Sequence, residues 1–170
     1  MFTKDQILNY LKYSIVAAIL YLVSVAIFLY MDNYTQTYIL YIGNVVFALV
    51  IVVFILTFNR KRDKNASTKM MIAAGHITTV AGVLMSIVGV FILLAIMKPI
   101  GYATVSQTTN ELAKPTPGLE GNGHALLFVL LMDAIFGNVG AGSFISFLLP
   151  NTAKQDQKGE TATINQEVNP

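Results

Sequence analysis

Long apolar blocks separated by polar segments dominate this chain, running from Ser14 to Tyr30, Thr37 to Phe58, Met70 to Met97 and His124 to Leu149. Within a block the apolar residues do not recur at the spacing of a water-facing helix or strand. They run on with few polar interruptions, as helices surrounded by hydrocarbon do. Ser14 to Tyr30 holds no formal charge and reaches roughly 25 Å as a helix, close to the thickness of a hydrocarbon core. No small-residue cleavage site follows it, so the expectation is a retained anchor and not a signal peptide. The connection to the second block is only a few residues long, which makes blocks one and two an antiparallel hairpin. The third block is long enough to tilt, and Pro99 stops it. Pro150 is expected to close the fourth.

The predicted fold is therefore all-α: an integral membrane bundle of four transmembrane helices, built as two antiparallel hairpins, over residues 1–150. A connector over 98–123, rich in Thr, Pro and Gly, is expected to be flexible. A polar tail over 151–170 lacks aromatics and is expected to be disordered.

Charge then gives the bundle a direction. Arg60, Lys61, Arg62, Lys64 and Lys69 lie between blocks two and three, and short basic loops stay on the cytoplasmic side. With that loop inside, Lys4, Lys12, Lys154 and Lys158 are also inside, and only Lys98 and Lys114 are outside. Both termini are thus expected in the cytoplasm of a multi-pass cell-membrane protein. Tyr10, Tyr13, Tyr30, Tyr34, Tyr38, Tyr41 and Tyr102 fall near predicted span ends, where amphipathic rings prefer to lie, and Tyr21 is the exception. The basic run reads as a topology signal and a headgroup contact, not a nucleic-acid face.

Composition agrees: 55% of residues are apolar and 12% charged. An ordinary soluble domain carries about 25% charged residues. With no cysteine in the sequence, disulfides, thiolate metal sites and a cysteine nucleophile are excluded. The layout resembles that of small four-span bacterial inner-membrane proteins, a likeness of architecture that carries no functional residues with it.

Candidate chemistry is confined to a few polar residues within the spans. Asp133 lies about 13 Å below the outer end of span four, at 1.5 Å per residue. An acid at that depth must face other helices. The same ruler puts Tyr21, Ser24 and Asn44 about 8–12 Å deep, in one layer with Asp133, so these side chains are expected to hydrogen-bond spans one, two and four together. His76 and Asn138 share a deeper level and are candidates to pair with one another, or to relay protons to Asp133 through water, although a histidine donating to a neighbouring carbonyl is the preferred expectation. His76 and His124 are about 20 Å apart along the bundle, too far to share a haem or a metal, so no cofactor and no metal is expected.

Small residues form the clearest pattern. Gly75, Thr79, Gly82, Ser86 and Gly89 make one stripe on span three, and Gly137 and Gly140 lie in a glycine-rich run on span four. Small side chains let helices approach closely in lipid, so spans three and four are expected to touch. A tight crossing or a homodimer seam is preferred over a broken helix in that run.

Paired carboxylates, His/Cys clusters and nucleophile–base spacings are missing, which argues against an enzyme. The first functional expectation is a non-enzymatic accessory, scaffold or sensor subunit, partnered by the lipid bilayer and by a second copy or another membrane protein, without nucleic acid. The alternative is a small proton-coupled transporter or channel centred on Asp133. For the topology, single cysteines introduced between residues 100 and 122 are expected to react with an impermeant thiol reagent on intact cells, whereas cysteines between 60 and 69 stay unlabelled. The reverse pattern would invert the orientation.

Overall fold

The computed structural model describes residues 4–31, 35–61, 67–97 and 123–168, and every regular element among them is a helix. Helix α1 spans Lys4–Met31, α2 Tyr38–Lys61 and α3 Thr68–Met97. A last rod combines α4 (Gly123–Met132), a π-helical turn (Asp133–Gly137) and α5 (Asn138–Val168). Four stretches are long and apolar enough to cross a membrane: Gln6–Met31, Tyr38–Arg60, Thr68–Met97 and Ala125–Ala153. Helix α2 is rich in Val, Ile and Phe, which favour strands in water. Its length and unbroken apolarity override that preference, because a helix satisfies every backbone group within the segment. At the start of α3, Ser67 Oγ accepts from the Met70 backbone N–H at 3.3 Å, an N-cap.

The helices form a four-cornered bundle. Helix α1 packs beside α2 and α3, and the α4–α5 rod packs beside α3 and α2; α2 and α3 also touch across a diagonal. At the end near the Arg60–Lys69 link, Tyr10 meets Phe54 edge-on at 5.6 Å between ring centroids and Tyr13 lies 5.2 Å from Phe54, closing the α1–α2 hairpin. Ser14 Oγ lies 2.8 Å from the Tyr10 carbonyl of its own helix and 2.9 Å from the Thr78 carbonyl, joining α1 to α3. Ser14, Thr78, Thr79, Ser86, Asn138 and Ser146 are buried, while Ile19, Val23, Leu49, Val53, Leu84, Val88 and Phe144 face outward. Small polar side chains thus lie within a mostly apolar core, and the outer surface is apolar as well.

The stripe on α3 is divided among three partners and not reserved for the last span. A Cβ at Gly75 would strike Ser146, and one at Gly142 would strike Thr79, so α3 and α5 do meet through small residues. Gly82, however, faces the Phe47 ring of α2, with the Ser14 carbonyl nearby, and Gly89 faces Leu22 of α1. Ser86 is buried and donates to the Gly82 carbonyl at 2.9 Å. Gly137 faces Asn44 of α2, and Gly140 has nothing within 4 Å of a would-be Cβ: it points outward and makes no close approach to another helix of the chain.

Pro150 does not end the last helix, and the tail over 151–168, expected to be disordered, continues α5 as far as Val168. Proline removes one N–H and crowds the carbonyl four residues back. The carbonyl deprived here is that of Ser146, and side chains just beyond the proline add bonds to the carbonyls that follow it. Asn151 Nδ2 donates to the Phe147 carbonyl at 2.7 Å, and Thr152 Oγ1 lies 3.0 Å from the Leu149 carbonyl and 3.3 Å from that of Leu148. Lys61 closes α2, and Arg60 and Lys69 are exposed at the helix ends. Arg62, Lys64 and the connector over 98–122 lie outside the described residues.

The contrast between Gly82 and Gly140 is measurable. Gly82→Leu is expected to lower the thermal midpoint in detergent, since overpacking a filled contact costs about 1–3 kcal/mol. Gly140→Leu, at an open outward position, is expected to leave the midpoint within about 0.5 kcal/mol of the parent.

Candidate binding crevice around Asp133

Asp133 opens the π-helical turn, and that turn determines how it is presented. The backbone stays right-handed through it: Met132 (φ −62°, ψ −44°) and Asn138 (φ −73°, ψ −38°) flank it in helical conformation, and the Asn138 N–H donates to the Ile135 carbonyl. The span is therefore unbroken, but one wide turn shifts the phase of the side chains beyond it. Gly137, Gly140 and Gly142 hold the α-helical ladder weakly, which makes the wide turn inexpensive here. π-turns of this kind are frequent at functional sites.

Two donors from two other helices close on the carboxylate. Tyr21 Oη donates to Oδ2 at 2.8 Å, and Asn44 Nδ2 donates to Oδ1 at 2.8 Å. Tyr21 is fully buried, and its ring reaches across the bundle from α1, which is not a neighbour of the last rod. Asn44 is 7% exposed and comes from the adjacent α2. Gly137, one turn below Asp133, leaves the space that Asn44 occupies, and any side chain there would displace the amide. Both donors come from neutral groups. Among the described residues no Lys, Arg or His donates to this carboxylate.

Asp133 is only half-buried, and its free side opens into a crevice of about 360 Å³ between α2 and the last rod. Thr37, Leu40, Tyr41 and Asn44 line one wall, and Phe128, Val129, Met132, Phe136 and Gly137 the other. Apart from Asp133, Asn44, Thr37 and Tyr41 the walls are apolar. Tyr41, Phe128 and Phe136 form an aromatic rim and are themselves about 60–69% exposed on the outer surface. Sequence reasoning placed Tyr21, Asn44 and Asp133 in one layer but missed these rim residues. Single outward aromatics carry no polar signal, and the crevice between them exists only once the helices are docked.

The remaining candidates lie elsewhere. Ser24 packs against Gly43 of α2, a second close approach that lets Tyr21 pass and that the sequence reading did not single out. His76 Nδ1 lies 2.9 Å from the Ile72 carbonyl of its own helix, which places a proton on Nδ1. Asn138, expected as its partner, makes no such bond. It is fully buried, and neither atom of its amide has a hydrogen-bond partner among the described residues. Thr79 Oγ1, also buried, is unpartnered as well. Among the described residues no three His, Cys, Asp or Glu side chains come together as a metal site.

Compared with known proteins, the chain matches no family model, no curated sequence and no solved structure. The case for a site therefore rests on its geometry. Tyr21→Phe is expected to cost about 0.6–1.7 kcal/mol of bundle stability, the range for interhelical polar contacts in membrane proteins. In an Asp133→Ala background the same change is expected to cost almost nothing. Equal costs in both backgrounds would separate Tyr21 from Asp133.

Proposed function

We propose that this chain is a multi-pass membrane protein with both termini in the cytoplasm, working as a non-enzymatic sensor or accessory subunit that binds a ligand or partner at the Asp133 crevice. The membrane assignment is supported by four long apolar helices and by an outer surface covered with large apolar side chains, unlike that of a water-soluble bundle. Orientation rests on the clustering of Lys and Arg between α2 and α3.

One observation carries the functional reading. The carboxylate of Asp133 is gripped from the bundle interior by Tyr21 and Asn44, while its other side faces an open crevice. An acid serving only to tie helices together gains nothing from that opening. In an apolar environment, leaving part of a carboxylate uncovered is unfavourable, and intramembrane acids that persist mark sites of binding or transfer.

A second reading, proton-coupled transport, is favoured by Asn138 and Thr79. Asn138 lies about 7 Å further along the rod than Asp133, at 1.5 Å per residue. Its buried, unpartnered amide is unfavourable in a purely structural core, where a leucine would pack at lower cost. Polar groups so placed provide stations beneath the crevice.

Reconstitution separates the readings. With the binding reading, liposomes containing the protein carry protons no faster than empty ones, and a photo-crosslinking residue at Phe136 in native membranes yields a discrete adduct that Asp133→Ala abolishes. With the transport reading, flux exceeds that of empty liposomes, disappears in Asp133→Asn and falls in Asn138→Leu. Flux that survives Asp133→Asn unchanged would remove Asp133 from the transport reading, and an adduct indifferent to Asp133→Ala would remove it from the binding one.

A further inference from the structure

The polar groups around the crevice differ in a way that narrows what it can hold. Asn44 spends its Nδ2 on Asp133, but its Oδ1, within a residue more than nine-tenths buried, has no hydrogen-bond partner among the described residues. Tyr21 spends its hydroxyl proton on the same carboxylate. Asn44 Oδ1 is itself sealed from the crevice, so what faces the opening at the deep end is the remaining acceptor capacity of the Asp133 carboxylate. Such a site favours N–H donors over anions, since an anion would lie against that carboxylate with only the wall hydroxyls of Thr37 and Tyr41 to receive it.

The walls narrow the class further. A hard metal ion seeks about six oxygen ligands, and this crevice offers one carboxylate among apolar surfaces. Its volume of about 360 Å³ lies near the lower end of small-molecule sites, which run from roughly 300 to 1,000 Å³. Leu40, Val129 and Met132 provide apolar contact for a hydrocarbon body, and the faces and edges of Tyr41, Phe128 and Phe136 stand at the mouth, where a passing cation is attracted by aromatic rings.

We propose that the Asp133 crevice binds an amphiphilic primary or secondary amine in its protonated form, with the ammonium on Asp133 and the apolar body against Leu40, Val129 and Met132. The proposal rests on the reading of Asp133 as a binding site and adds the chemical class of the ligand. The amine N–H groups supply the donors that this end of the crevice lacks, and the ammonium neutralises the carboxylate. A quaternary ammonium matches the charge but offers the carboxylate no hydrogen bond. A neutral alcohol of the same shape offers one donor and no charge.

The test uses the full chain in lipid nanodiscs and three probes with one hydrocarbon skeleton: 4-phenylbutylamine, its trimethylammonium analogue and 4-phenylbutanol, each corrected for uptake by empty nanodiscs. The expected result is saturable binding of the amine, about tenfold or more tighter than the alcohol and tighter than the quaternary salt, as a charge-assisted hydrogen bond requires. Asp133→Asn is expected to abolish that preference for the amine, and Asn44→Leu to reduce it. Equal affinity for amine and alcohol in the parent protein would overturn the proposal without any variant having to fold. So would a preference that survives Asp133→Asn. A failure here leaves the Asp133-dependent crosslink at Phe136 standing, so the ligand class and the use of the crevice are judged separately.

Discussion

A carboxylate set among four apolar helices needs hydrogen-bond donors, and in this bundle those donors come from helices other than its own. Tyr21 and Asn44 meet Asp133 from α1 and α2, and much of the packing around them follows from that convergence. For Tyr21 to cross the bundle, α1 and α2 must approach closely, which Gly43 permits. For Asn44 to reach the acid, the last rod must carry no side chain at residue 137. The π-helical turn completes the set by placing Asp133 on the face where both donors arrive. Individual polar contacts of this kind contribute little in membrane bundles. Their effect here is on geometry: they select one register of three helices out of the many that apolar surfaces alone would accept.

Close packing elsewhere follows a different rule. Between α3 and its neighbours the contacts are made by small residues against bulkier ones: Gly82 against Phe47, Gly89 against Leu22, Gly75 against Ser146 and Gly142 against Thr79. Without a hydrophobic drive between helices in lipid, such fits supply the association through dispersion. Each is specific to one partner helix, so the stripe on α3 serves as three separate contacts. The polar layer sets the register at one end, and the aromatic group of Tyr10, Tyr13, Phe54 and Phe58 closes the α1–α2 hairpin at the other.

What could be read from the sequence was what depends on distance along a helix. Apolar run length located the four helices, and the constant rise per residue put Tyr21, Asn44 and Asp133 at one level before any contact was known. What depends on rotation about the helix axis was not legible. The contact of the small-residue stripe with the last span was legible, but not its contacts with α1 and α2, because spacing reveals a face and not every helix that face meets. The π turn at Asp133–Gly137 changes phase locally, and with it the outlook of Asn138, which shares a level with His76 without bonding to it. Pro150 misled for another reason. Proline removes one ladder bond, that to the Ser146 carbonyl, and the helix runs on through that single loss, with Asn151 and Thr152 adding side-chain bonds to the carbonyls of Phe147 and Leu149.

The crevice and the unpartnered amide of Asn138 are both places where the bundle departs from its best packing, and they lie within a few residues of each other on one rod. A core selected for stability alone would fill the first with an extra methylene or two and replace the second with leucine. Both changes lie within reach of single substitutions, and natural proteins retain such defects where function requires them. The π turn belongs in the same group, since it gives up regular ladder bonds in the one span that carries an acid. Three separate departures from ideal packing are thus gathered around Asp133 and Asn138. Tyr21 and Asn44 approach the carboxylate from the bundle interior, so its outward side is left open to the crevice.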